Sequence, residues 1–154
     1  MRLAFAPFVQ MSYSCGMFER WFYISTSRLE AAKADEQVGE IVNVSIPRNR
    51  SLGVTGALLF TGHRFSQYLE GSPAAIAELK QSILRDPRHE DIRTIASGLC
   101  EIRRFLIWSL AYAGPSRFVA AKVEDALNDA LAGGDANIEA LAEMLAGFAV
   151  EGHS

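Results

Sequence analysis

Several features that would settle the class of a protein at once are missing here. The 154 residues hold two cysteines, Cys15 and Cys100, far apart and in no metal or redox spacing, so a disulfide framework and a thiolate zinc site both lack their residues. A reduced cytoplasmic protein is the expectation. Three histidines, His63, His89 and His153, complete no ligand set. No apolar run approaches the roughly 18 residues that a membrane-spanning helix needs. Positive charge is not in excess either: 15 Lys and Arg stand against 18 Asp and Glu, a net charge of −3, which argues against a nucleic-acid footprint. Arg48 with Arg50, and the pair Arg103-Arg104, read as small solvated clusters. The GVTG stretch at 53–56 is no phosphate loop, because it lacks a Lys-Ser/Thr and opens a strand rather than a helix. A hydrolase nucleophile elbow is absent as well.

What is present is 49% hydrophobic residues in a chain of single-domain length, enough for a real core. The first twenty residues, MRLAFAPFVQMSYSCGMFER, carry an apolar run interrupted by Pro7 and no small-residue cleavage pattern, so they make a poor secretory signal. They read either as a short disordered or docking tail or as sequence upstream of a natural start at Met17. The organisation expected is an N-terminal extension over 1–20, a folded domain over 21–113 and a C-terminal helical segment over 114–154.

The run WFYIST, Trp21 to Thr26, is β-rich and puts Trp21, Tyr23 and Ser25 on one face. From Ala34 to about Ile46 the residues Val38, Ile41, Val42 and Ile46 recur at helical spacing, and Pro47 is expected to end that helix. Val54 to Thr61 and Arg64 to Leu69 form a hairpin through Gly62-His63. Ser72-Pro73 then supplies a helix cap and a first-turn proline, followed by a stripe of Ile76, Leu79, Ile83 and Leu84. DIRTIASGLC and RRFLIWSLAYAG read as two more strands, the second with Leu106, Trp108, Leu110 and Tyr112 on one face. After Gly114-Pro115, Phe118, Leu127 and Leu131, then Ile138, Leu141, Leu145 and Phe148, mark a helical hairpin broken at Gly133-Gly134 and restarted with Asp135 as N-cap. The fold class expected is α+β: a ferredoxin-like β-α-β-β-α-β-β sheet with two helices on one face, plus the C-terminal helical hairpin over the other.

One residue is out of character in this plan. In RFSQYLEG, alternation sets Gln67 on the same face as Phe65 and Leu69, expected to be the buried one. An unpartnered buried amide costs about 1–3 kcal/mol, so Gln67 must bond to polar side chains, to backbone or to something that is not protein. Taken singly, Tyr23 reads as a half-buried strand tyrosine, Asn49 as a turn residue after Pro47, and Trp108 as a core aromatic.

Together, FYISTSR with Tyr23, PRNRSLGVTGALL with Asn49, RFSQYLEG with Gln67, RDPRH, and RRFLIWSLA with Trp108 resemble, in this order and spacing, the BLUF family of blue-light sensors that bind flavin adenine dinucleotide. The resemblance covers residues 21 to about 113. It implies that the flavin ring lies between the two sheet-covering helices, with Gln67 as the switching glutamine, Tyr23 as its hydrogen-bonded electron donor and Trp108 beside the glutamine. It further implies that Asn49 holds the carbonyl edge of the ring, that Ile41 and Ile83 sandwich it, and that Arg88 and His89 lie in a loop near the phosphates. Residue chemistry agrees: a flavin edge offers acceptors and a donor, and an amide supplies both on one planar group. Light-driven electron and proton transfer from Tyr23 via Gln67 would rearrange the hydrogen bonds.

In one place the chain departs from the family, which commonly has methionine where this sequence has Leu110. Leucine packs but offers no thioether, so recovery and signal coupling are the properties in question. The remaining residues leave no room for a fused output domain. The reading is therefore a stand-alone photosensory protein without catalytic output, signalling to an effector protein through the last strand and C-terminal helices, self-associating, and binding neither nucleic acid nor membrane. Two alternatives stay open: a ferredoxin-like interaction module that binds no flavin, and an acylphosphatase-like enzyme, for which TSRLEAA lacks the glycine of a phosphate cradle.

Overall fold

The computed structural model describes residues 17–113 and 117–151, with backbone alone at 117–120, 150 and 151. Cys15, His153, the 1–16 part of the extension and the side chain of Phe118 lie outside the described residues. Five strands, β1 (Phe18–Ser27), β2 (Thr55–Phe60), β3 (Arg64–Gly71), β4 (His89–Cys100) and β5 (Trp108–Ala113), form one sheet in the order β4-β1-β3-β2-β5. Between and after them run α1 (Ala34–Leu52), α2 (Pro73–Arg85), α3 (Arg117–Ala132) and α4 (Asp135–Glu151). β1 is antiparallel to both β3 and β4, β2 is antiparallel to β3, and β5 adds to β2 in parallel. The first four strands thus make the split β-α-β arrangement of the ferredoxin-like plan.

Two expectations about elements are corrected. α1 does not stop at Ile46 but continues through Pro47 to Leu52. Proline removes one intrahelical donor, yet its fixed φ is helical, and the turn beyond it is secured by its end. Gly53 takes a left-handed φ of 69° and its N–H reaches Asn49 O and Arg50 O, while Val54 N–H reaches Asn49 O at 2.8 Å, a glycine helix terminus. The last strand begins at Trp108, and Leu106, expected inside it, is 97% exposed. Its pairing with β2 shifts between Leu58↔Leu110 and Leu59↔Tyr112. Ala111 is the extra residue of a bulge, so Tyr112 turns to the face opposite Trp108 and Leu110.

Packing is three layers deep. On one face Trp21, Tyr23, Phe65 and Leu69 meet Val38 of α1 and Ile76 and Leu79 of α2. Leu84 falls outside that stripe and is half exposed. On the other face Phe22, Ile24, Leu59 and Tyr68 meet Leu127 of α3 and Leu141 and Leu145 of α4. β3 is consequently buried on both faces from Phe65 to Gly71, not on the Gln67 face alone. Arg64 Nε donates to Glu124 Oε1 at 2.9 Å and ties β3 to α3. Gly56 cannot carry a side chain, since a Cβ there would collide with the Tyr68 carbonyl, which explains the glycine inside a strand.

The segment 101–107 between β4 and β5 is held by one fully buried carboxylate. Glu70 accepts from Arg104 N–H at 2.9 Å, Phe105 N–H at 2.7 Å and Thr55 Oγ1 at 3.0 Å. Arg103 donates to Thr55 Oγ1 at 2.8 Å and Glu70 O at 3.2 Å, so this arginine pair is part of an anchored network and not the solvated cluster expected. Only an acceptor serves at Glu70. Glu70→Gln would turn an NH2 group toward backbone N–H groups and should lower stability by about 1–3 kcal/mol, read as a lower urea midpoint. An unchanged midpoint would show that this carboxylate does not secure the segment.

Candidate functional site

Strand register makes the centre of the site. Tyr23 and Gln67 are direct cross-strand partners, so their side chains stand beside each other on the α1/α2 face. Gln67 Nε2 donates to Tyr23 Oη at 2.7 Å, and Trp108 Nε1 donates to Gln67 Oε1 at 2.9 Å. The buried amide therefore uses both its ends, as its position on β3 demanded. An indole N–H can only donate, so the amide end facing Trp108 must be the oxygen. The tryptophan thereby fixes the orientation of the amide, and the Tyr23 oxygen, occupied as acceptor, leaves its own proton free to turn elsewhere. Burial pushes the Tyr23 phenol well above its usual range, the bond from Gln67 offsets part of that, and the Asp86 carboxylate adds to it. Tyr23 is a neutral phenol at neutral pH.

Beyond this triad lies a cavity of about 210 Å³ between α1, α2 and the sheet. Tyr23, Ile41, Asn49, Gln67, Ile83, Arg88 and His89, all singled out from the sequence, line it. Ile41 comes from α1 and Ile83 from α2, giving the slot an aliphatic side chain from each helix. Asn49, 3% exposed, sits on the last turns of α1 rather than in a turn. Trp108 does not line the cavity and meets it only through Gln67.

His89 is placed differently from the expected loop position. It is the first residue of β4, with Nδ1 2.7 Å from Ser25 Oγ and Nε2 2.8 Å from Ile83 O. A carbonyl only accepts, so Nε2 carries a proton and, in the neutral ring, Nδ1 accepts from Ser25. The ring ties β1 to the end of α2 and packs edge-on against Tyr23 and Phe65. Arg88 donates to Asp86 through Nε at 2.9 Å and Nη2 at 2.6 Å. Burial works to raise the Asp86 carboxyl, but the bonds from Arg88 outweigh it and hold it below the usual range.

Ser45, Arg48, Ser82 and Asp86 also line the cavity and were not anticipated. Arg48 Nη1 donates to Ser82 Oγ at 3.2 Å, bridging α1 and α2. Ser45, Arg48 and Asn49 stand at helical i, i+3, i+4 spacing, a signal hidden by ending α1 at Pro47. Among the described residues no group of three His, Cys, Asp or Glu could hold a metal, and no helix is long and apolar enough to cross a membrane.

A slot with aliphatic walls and an edge of phenol, carboxamide and a second carboxamide suits a planar heterocycle with both donors and acceptors on one rim. The isoalloxazine ring of FAD is such a group. The residues present fit it: Ile41 and Ile83 would face the ring, Gln67, Tyr23 and Asn49 its polar edge.

Comparison with known proteins agrees with this chemistry. A family model described as sensors of blue light using FAD matches residues 18–111. The photoactivated adenylate cyclase subunit alpha of Euglena gracilis is 32% identical over 91 residues, 59% of this chain and 9% of that protein. The blue light- and temperature-regulated antirepressor BluF of Escherichia coli is 36% identical over 70 residues, 46% of this chain and 17% of that protein. The chain thus spans less than a fifth of these relatives' lengths. Among solved structures, the dark state of BlrB, a BLUF protein, matches with a TM-score of 0.65 and 29% identity over 86% of this chain and 98% of that one. With the family model covering more than half of its length, the chain belongs to the BLUF family, the sensors of blue light using FAD.

Proposed function

We propose that this chain is a blue-light photoreceptor that holds FAD non-covalently in the α1/α2 cavity and signals to a partner protein, rather than through a reaction catalysed by its own residues. The observation that carries this reading is the continuous hydrogen-bond chain Trp108–Gln67–Tyr23 at the wall of the cavity. FAD, when bound, supplies blue absorption and an electron acceptor in its excited state. Tyr23 is the donor: its buried neutral phenol carries a proton on Oη that can leave with the electron. Gln67 relays the proton and changes partners.

The bond from Trp108 sets the two states apart. Rotating the amide by half a turn would aim Nε2 at the indole N–H, two donors against each other, a mismatch worth about 1–3 kcal/mol. Trp108 must therefore release Gln67 for the rotated amide to persist, and β5 is the element that moves with it. Leu110, on the same face of β5 and packed against the same core, is the next side chain to feel that release. Asn49 and the Ile41–Ile83 pair are the positioning groups, and Arg88 with His89, on the cavity wall, are the residues that would meet the dinucleotide tail.

Signal output through β5 and the C-terminal helices is supported by their contact, since α4 packs on β5, and by the antirepressor name of the Escherichia coli relative, which implies a protein target for that protein. Self-association and a cytoplasmic setting belong to the same reading; Ile46 and Leu84, apolar side chains left exposed on α1 and α2, are surfaces available for it.

Absorption spectra of the purified protein in the dark, under blue light and during recovery test the whole reading. A flavin spectrum that shifts to the red and relaxes back supports it, whereas a protein that stays colourless after reconstitution with FAD would favour a flavin-free interaction module. Gln67→Leu should keep the flavin and lose the red shift; a normal shift in that variant would sink the mechanism. Leu110→Met should leave the dark spectrum in place and change the recovery rate by at least about twofold, because thioether flexibility and weak acceptor strength act on the path back. Equal recovery rates in the two proteins refute that role.

A further inference from the structure

At the opposite end of β4 from His89 and the cavity, a second opening of about 580 Å³ is lined by Arg20, Tyr68 and the segment Leu99 to Arg104. Three guanidinium groups converge on it, and they are not equivalent. Arg103 is occupied by Thr55 and Glu70 O and lies over the Phe18 ring at 4.3 Å. Arg104 donates to Glu139 at 2.8 Å. The Arg20 guanidinium, beside Glu70 in the β1–β3 register, makes no hydrogen bond or ion pair with a described residue. The Nε atoms of both Arg20 and Arg104 are buried without an acceptor, a state that a folded protein tolerates poorly. Of the other ionisable groups lining the opening, Glu101 forms no ion pair among the described residues, and burial pushes the Cys100 thiol up so that it adds no anion. Three guanidinium groups thus stand against one lining carboxylate, Glu101, and two of their Nε atoms have no acceptor.

Leu99 and Ile102 line the opening as exposed aliphatic side chains, and Leu106 and Ile107 follow on the same segment. Leu99 is 58%, Ile102 82%, Leu106 97% and Ile107 50% exposed, within nine residues of chain and beside a Phe105 that is buried. Such a run of aliphatic side chains held in water marks an interaction surface. It is also held in place: Glu70 fixes the backbone at Arg104 and Phe105, so little ordering is left to be done on binding. Free phosphate would satisfy the arginines and leave the aliphatic side chains in water. A protein segment with acidic and apolar residues in alternation satisfies both.

We infer that this opening is the docking site for a partner-protein segment that carries a carboxylate flanked by aliphatic or aromatic side chains, the carboxylate accepting from Arg20 and the flanking residues covering Ile102 and Leu106. The site is distinct from the cavity and does not depend on a flavin being bound. It gives the molecule a charge-selected contact on the segment that leads directly into Trp108.

The test is an NMR titration of the full chain with a capped synthetic peptide of alternating leucine and glutamate, observing the arginine Nε–H signals and the Ile102 and Leu106 methyls. The peptide should move Arg20 and Ile102 signals saturably, and its affinity should fall as salt is raised. A peptide with glutamine in place of glutamate, and the variants Arg20→Gln and Ile102→Ser, should each weaken binding by about tenfold or more. Ile102 is so exposed that its replacement cannot disturb folding, which keeps the test valid if Arg20→Gln is misfolded. Absence of saturable shifts at these residues, equal binding of the glutamine peptide, or inorganic phosphate moving the same signals as strongly as the acidic peptide would each overturn the inference.

Discussion

A primary amide buried between a phenol and an indole is the constraint around which the rest of the molecule is arranged. Gln67 sits in a strand buried on both faces, between Phe65 and Leu69 on its own, where a lone amide would be a defect. Tyr23 takes its N–H and Trp108 supplies a donor to its oxygen, so three strands that are not consecutive in the sequence must hold their register to satisfy one side chain. β1 and β3 pair directly at Tyr23↔Gln67. β5 reaches the amide only across β2, and it does so opposite Gly56, which has no side chain to stand in the way. The glycine that admits the Tyr68 carbonyl on one side thus faces the tryptophan strand on the other.

Two-sided burial explains why so rigid a site stands at the edge of a cavity. α3 and α4 close the face away from the site, and α1 and α2 close the near face except over the slot. The slot is kept open by polar bridges that span it instead of apolar side chains that would fill it: Arg48 to Ser82 between the helices, and His89 from Ser25 on β1 to the end of α2. Interiors pack to crystal-like density wherever side chains can move to fill space. A gap persists here because its walls are fixed from several elements at once.

Much of this architecture is legible in the order of residues. Periodicity located the strands and α2, the Ser72-Pro73 start is the cap observed, and the seven cofactor-binding residues that the family resemblance implies all line the cavity. The failures have a common cause. Pro47 reads as a stop because its missing donor is a local fact, whereas the turn that follows is stabilised by a glycine terminus and by burial of Asn49. Strict alternation carried Tyr112 to the face of Trp108 because a bulge at Ala111 leaves no mark in the apolar pattern. Arg103 and Arg104 looked like solvated charge because nothing nearby in sequence announces Glu70 as their anchor.

The sequence by itself determined which elements form, which chemistry they carry and to which family the chain belongs, because periodicity, capping and motif spacing are properties of neighbours along the chain. Only the tertiary structure decided that Trp108 fixes the orientation of the Gln67 amide, that His89 is committed to Ser25 and Ile83, and that Arg20 is left without an acceptor beside exposed aliphatic side chains. Each of these is a matter of which donor meets which acceptor across strands far apart in sequence. Such pairings are set by register, bulges and the covering of both sheet faces, and no local pattern of residues contains them.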